Sequence, residues 1–155
     1  MIKFTEYALT FQEVPDEANL VICISNCPHR CPGCHSPYLQ QDFGDELTIP
    51  FLSDLLDKHA DEITCVCLMG EGNDPKALYK VLKFIRSKGF KTCLYSGSDM
   101  IDVFLLPVLS YLKLGPYDAR LGGLSSRTTN QRFYIVNSGE TQSVLTDITY
   151  KFWKD

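Results

Sequence analysis

Short apolar runs recur along this chain at spacings that leave room for one helix between neighbours. Residues 20–24 (LVICI), 63–69 (ITCVCLM), 90–96 (FKTCLYS) and 111–115 (YLKLG) are rich in apolar side chains and end at turn-forming residues. Runs of that length read as buried strands. Between the first two, residues 49–60 read as a helix. Thr48 is a good N-cap, Pro50 suits the first turn, and Phe51, Leu52, Leu55 and Leu56 share one face. Between the second and third, Asp74 caps a helix that starts at Pro75. Its apolar face carries Leu78, Val81, Leu82 and Ile85, and Gly89 ends it. After the third run Gly97 turns the chain, and a short helix is expected from Asp99 to about Leu106. Strand, loop, helix and strand thus repeat three times, the pattern of a parallel sheet with right-handed crossovers. Residues 132–136 and 143–146 read as a closing hairpin around NSGE, and the tail from Asp147 reads as short helix or coil. The expected fold class is α/β, a parallel sheet with a C-terminal hairpin in a single domain over 1–155.

The unusual loops all follow predicted strands. They are the cysteine stretch after residue 24, GEGND, SGSD and GPYDARLGG. The C-terminal ends of strands are where α/β sheets and barrels build their sites. The stretch CISNCPHRCPGCHSP, residues 23–37, holds four of the chain's seven cysteines. Pro28, Pro32, Gly33 and Pro37 break it into a loop. Cys27, Cys31 and Cys34 are spaced C-x-x-x-C-x-x-C, with His29 and His35 among them. An odd cysteine count argues against a disulfide framework and for metal, cluster or catalytic thiols. Cys23, Cys65, Cys67 and Cys93 lie on predicted strands and read as core filler.

Three chemistries suit the loop thiols. Cys27, Cys31 and Cys34 with His29 or His35 make a tetrahedral zinc set. CPGC alone has the form of a redox dithiol, which leaves Cys27 idle. An iron–sulfur cubane takes four thiolates as a rule. Held by three, it keeps one iron open to a substrate, as a catalytic zinc keeps one position open. Other classes are disfavoured. A net charge of −4 without a dense Lys/Arg run gives no sign of nucleic-acid binding. The N-terminal stretch carries acids throughout and does not read as a signal peptide, and runs such as VFLLPVL are too short to span a bilayer. A soluble cytoplasmic protein is expected.

The cysteine spacing directly after a first strand resembles that of the radical S-adenosylmethionine (SAM) enzymes. The finer form NCPHRCPGCHSP is similar to the activating enzymes of glycyl-radical enzymes, and GLSSRTTNQRF (residues 123–133) resembles the branch that serves anaerobic ribonucleotide reductase. The resemblance covers about residues 20–133. It implies a partial, open TIM-like barrel of βα units. It also implies that Cys27, Cys31 and Cys34 hold a [4Fe-4S] cluster whose fourth iron takes the amino and carboxylate groups of SAM. Electron transfer to the sulfonium then yields methionine and a 5′-deoxyadenosyl radical. By the same resemblance the radical takes hydrogen from a glycine of the large reductase subunit. An electron donor such as flavodoxin supplies the reducing equivalent, and a pyruvate formate-lyase type enzyme is the alternative partner. Gly33, Cys34 and His35 are expected to line the SAM site.

The superfamily commonly carries Gly-Gly-Glu after its second strand, against the SAM amino group. The equivalent stretch here is MGEGND. Gly70 keeps the backbone contact, and Glu71 is either its polar partner or a solvated loop carboxylate. Tyr95, Tyr117 and Arg120 are candidates for contacting partner or adenine, against the plainer reading of loop packing. Arg132 is a candidate to hold a carboxylate of SAM or of the partner.

Overall fold

A computed structural model describes residues 1–25 and 41–153. The strands are β1 (Lys3–Thr10), β2 (Asn19–Ile24), β3 (Asp45–Glu46), β4 (Cys65–Met69), β5 (Lys91–Tyr95), β6 (Tyr111–Leu114), β7 (Arg132–Ser138) and β8 (Ser143–Asp147). They form one eight-stranded sheet in the order β3-β1-β2-β4-β5-β6-β7-β8. Two α-helices, α1 (Ile49–His59) and α2 (Pro75–Ser87), are joined by 3-10 segments at Val103–Val108 and Thr149–Phe152. Among the described residues no helix is long and apolar enough to cross a membrane.

This overturns the expected fold class. The sheet is mixed and strand-dominated; it is not a parallel, TIM-like barrel of βα units. Only β2, β4, β5 and β6 pair in parallel, while β1 runs antiparallel to β2 and β7 antiparallel to both β6 and β8. Connection length explains the difference. A parallel return needs a crossover of a dozen or more residues, usually with a helix. The eight residues 11–18 between β1 and β2 are too few. The link 115–131 is long enough but folds as turns without a helix, and the chain comes back antiparallel. β1 escaped the sequence reading because a bulge between Phe4 and Glu6 breaks its alternation. The expected helix at Asp99 is instead a 3-10 segment beginning at Val103. Pro107 inside it has no N–H to donate, which disfavours a full α-turn.

The sheet has two covered faces. On one, Leu20, Ile22, Ile24, Val66, Leu68 and Leu94 meet the apolar stripes of α1 and α2. Burying each such side chain contributes on the order of 2 kcal/mol. Thr48 and Asp74 start the two helices by accepting from the N–H groups of Phe51 and Ala77. On the other face lie Cys65, Cys67 and Cys93, fully buried with Val21, Tyr111 and Phe133. Phe133 sits 6.0, 5.9 and 5.0 Å from the rings of Tyr95, Tyr111 and Phe152.

A carboxylate anchors the N-terminal ends of the strands. Glu17 is 8% exposed and accepts from Thr64 (2.7 Å), Lys91 (2.9 Å) and Tyr111 (2.5 Å). Burial alone would raise its pKa, but these hydrogen bonds outweigh burial and hold it below the ordinary value of 4.5. A group with a lowered folded pKa stabilises the fold above its unfolded pKa and loses that effect as pH falls through the folded value. Glu17→Gln should therefore cost about 1–2 kcal/mol at pH 7, measured by urea unfolding. The gap to the unmodified protein should narrow as the pH drops below 4.5.

Candidate functional site

The parallel strands are in register, so their C-terminal ends come level. Cys23, Met69, Tyr95 and Lys113 stand side by side across β2, β4, β5 and β6. Directly beyond this row lie Ser25, the Gly70–Gly72 turn, Ser96–Ser98 and Gly115, so the loops after β4, β5 and β6 leave the sheet at the same end. Cys27, Cys31, Cys34, Gly33 and His35, with His29, lie outside the described residues. Their stretch follows Ser25, whose hydroxyl donates to the carbonyl of Phe43 (2.5 Å) on the far side of it.

Gly70 has φ +107, and its N–H donates to the carbonyl of Tyr95 at 3.0 Å. A Cβ built there would lie 3.1 Å from the Ile24 carbonyl oxygen. Glycine is therefore required both for the backbone conformation and for the close approach of the β2 and β4 ends. Glu71 follows, with one carboxylate oxygen 3.5 Å from the Ser98 hydroxyl. A cavity of about 370 Å³ opens beside it, bounded by Asn73, Ser98, Met100 and Asp102. Gly70 and Glu71 thus follow directly on the end of β4.

Lys113 was missed. Its side chain is almost fully buried, and its ammonium donates to the carbonyls of Ser96 (3.1 Å) and Gly115 (2.7 Å). Among the described residues it is the only buried lysine or arginine. It ties the β5 and β6 loops together and brings a positive charge to the strand ends. The signal was available: a lysine in the middle of the buried run YLKLG has to meet an acceptor. Gly115, at φ +109, is a second junction. Its N–H donates to the Ser98 carbonyl at 2.7 Å, and a Cβ there would come 3.1 Å from the Gln131 Cα.

The TTNQR segment has a structural role here. The Thr129 hydroxyl donates to the Gly122 carbonyl (3.0 Å) and accepts from the Gln131 N–H (3.0 Å). The Asn130 amide donates to the Pro116 carbonyl at 3.0 Å and that of Gln131 to the Gly115 carbonyl at 3.4 Å. These bonds close the 115–131 loop on itself, tying its last residues to its first ones just beyond β6.

The loop candidates divide. The Tyr95 hydroxyl donates to the Glu13 carbonyl and its ring packs on Phe133, so it is held within the sheet face. Arg120 is exposed and paired with Asp118 at 2.9 Å, which holds that carboxyl below its usual range. Tyr117 is half-buried within the same loop. Arg132 begins β7 level with Leu114 and pairs with Asp147 at 3.6 Å. Cys23 is half-buried on β2. Burial above all, and then the nearby Glu6, push its thiol pKa up to about 11. Burial likewise drives the Cys65 and Cys93 thiols upward, so these cysteines are protonated core residues at neutral pH.

Compared with known proteins, the chain matches no protein-family model and no curated protein.

Replacing Gly70 with alanine should cost about 1–3 kcal/mol, because the residue would be strained at positive φ. Chemical unfolding checks this. An unchanged midpoint would show that the β4 turn relaxes freely.

Proposed function

We propose that this chain is a radical SAM enzyme that activates anaerobic ribonucleotide reductase by installing a glycyl radical on its large subunit. The observation that carries the reading is the spacing of Cys27, Cys31 and Cys34 in a Pro- and Gly-broken stretch that directly follows β2. Two further features support it. The ends of β2, β4, β5 and β6 are level, and Gly70 and Glu71 lie where the first of those ends meets the second. The reductase is favoured over a pyruvate formate-lyase type enzyme by the TTNQR stretch, residues 128–132.

The donor chemistry fits a cluster, since three thiols at that spacing are soft ligands of the kind iron–sulfur clusters take. When bound with SAM, a [4Fe-4S] cluster supplies a one-electron cleavage whose carbon radical takes hydrogen from a glycine Cα. The protein's share is position and exclusion of water. In this reading Gly33, Cys34 and His35 line the SAM site. A ligand's amino group donates, so it would meet this turn through carbonyl oxygens; the Gly70 N–H itself is paired with the Tyr95 carbonyl. Gly70 and Gly115 draw the strand ends close, and Lys113 fixes the loops after β5 and β6. A one-electron donor such as flavodoxin and a cytoplasmic setting belong to the same proposal.

Two measurements test it. After anaerobic reconstitution, Cys27→Ala, Cys31→Ala and Cys34→Ala should each lose stable iron and acid-labile sulfide, while Cys23→Ala keeps them. The Cys23 thiol is held on a strand and stays protonated at neutral pH, which makes it a poor ligand. A colourless protein that binds zinc instead would contradict the reading. The reduced, SAM-loaded protein mixed with the reductase should then give a glycyl-radical doublet in electron paramagnetic resonance. A doublet only with a pyruvate formate-lyase type enzyme would overturn the assigned partner.

A further inference from the structure

Helix α2 carries two stripes. Leu78, Val81, Leu82 and Ile85 are buried against the sheet. Beside them Lys76, Tyr79, Lys80 and Lys83 recur at spacings of three and four, so they share a second face. The three lysines are exposed, and among the described residues none of them pairs with a carboxylate. Tyr79 meets Phe104 of the following 3-10 segment with 5.9 Å between ring centroids, and the Lys83 ammonium stands 5.9 Å from the Tyr79 ring. Helix and segment thereby border a groove of about 850 Å³. Beside it Met100 and Val103 are 81% and 77% exposed. Asn73, Pro75 and Asp102 line both this groove and the cavity next to Glu71, so one surface runs from the strand ends to the lysines. Its carboxylates are Asp102 and Asp74, and Asp74 is engaged as the α2 cap and by the terminal ammonium. Single exposed apolar side chains are ordinary, but a contiguous patch rimmed by charge marks an interaction site.

We infer that this surface seats the protein that carries the substrate glycine, through an apolar patch on that protein flanked by acidic side chains. The inference rests on the proposed function, in which that protein is the large reductase subunit. A glycine Cα is part of a folded backbone, so the partner's body has to rest on the rim of the strand ends while its loop enters. The groove opens onto that rim at Asn73, Pro75 and Asp102. Charge sets the chemistry of the partner's face. Three lysines without carboxylates of their own, in a chain of net charge −4, favour acidic groups and repel basic ones. The floor sets the kind of complex, because aromatic and aliphatic groups inside a charged rim are the anatomy of a specific protein interface. Position argues against the electron donor as occupant. The cysteine stretch follows β2, whereas α2 joins β4 to β5 and the 3-10 segment joins β5 to β6, so the groove lies beyond β4 from β2. Electron transfer weakens steeply with distance, which places a donor on the β2 side.

The test is anaerobic calorimetric titration of the large reductase subunit with the reconstituted protein, measured apart from radical formation. Circular dichroism and iron content confirm that each variant is folded and loaded. The unmodified chain should bind, and added salt should weaken binding as it screens the lysines. Lys80→Glu with Lys83→Glu should weaken binding by about tenfold or more, because acidic groups then face acidic groups. The same variant should need about ten times more reductase for half-maximal glycyl radical when a chemical reductant drives the reaction. Lys80→Arg with Lys83→Arg keeps the charge and should keep binding. Lys58→Glu, in the last turn of α1 where the chain leads to the start of β4, should have no effect. A K80E/K83E variant that binds as the unmodified chain does overturns the surface and leaves the radical reading standing. If its radical yield falls only when flavodoxin replaces the chemical reductant, the surface belongs to the donor and the proposal is overturned. An unmodified chain that forms no glycyl radical with the reductase overturns the proposed function, and this inference with it.

Discussion

Cys23, Met69, Tyr95 and Lys113 stand abreast because four parallel strands share one unbroken register. That ladder sets the height at which the loops after β4, β5 and β6 leave the sheet. Glu17 holds its lower end through Thr64, Lys91 and Tyr111. Lys113 holds its upper end through the carbonyls of Ser96 and Gly115. The two charged groups are buried at opposite ends of the same strands, and each is surrounded by hydrogen-bonding partners. Burying a charge without partners would be expensive, so each ties together the segments that meet it. Gly70 and Gly115 complete the arrangement by letting backbone approach backbone where any side chain would intrude.

Much of the parallel centre was legible in the sequence. The runs LVICI, ITCVCLM, FKTCLYS and YLKLG became β2, β4, β5 and β6 with shifts of one or two residues at their ends. Thr48 and Asp74 marked both helix starts correctly. These segments have strong local signals, since buried parallel strands are continuously apolar and capped helices are periodic. The barrel expectation failed because it extended that pattern to the whole chain. β1 has no continuous apolar run, a bulge interrupts its alternation, and its partner choice depends on the short link to β2. Nothing local in RFYIVNS says that it runs antiparallel to β6; the turns of residues 115–131 decide that.

At the strand ends the sequence pointed to Gly70 and Glu71, and the structure sets Glu71 beside Ser98 at the rim of a cavity. It also offered Tyr95 and Arg120, against the plainer reading of loop packing, and Arg132; these are engaged by Glu13, Asp118 and Asp147. Loop position alone does not separate a side chain that awaits a ligand from one already satisfied. The buried lysine of β6 went unnoticed because its neighbours in YLKLG were read for hydrophobicity. The TTNQR residues, singled out by likeness, turn out to close the 115–131 loop on itself just beyond β6. A sequence signature of this kind can record how a site is framed as readily as what it binds.

The central claim is that three thiolates leave one iron of a cubane open to SAM. It is tested most directly by the electron paramagnetic resonance spectrum of the reduced, reconstituted protein, recorded before and after saturating SAM. The account predicts a [4Fe-4S] signal whose g-values and line shape change when SAM is added, because the ligand binds the open iron. A spectrum that stays the same at saturating SAM would contradict it, since the fourth position would then be filled by the protein.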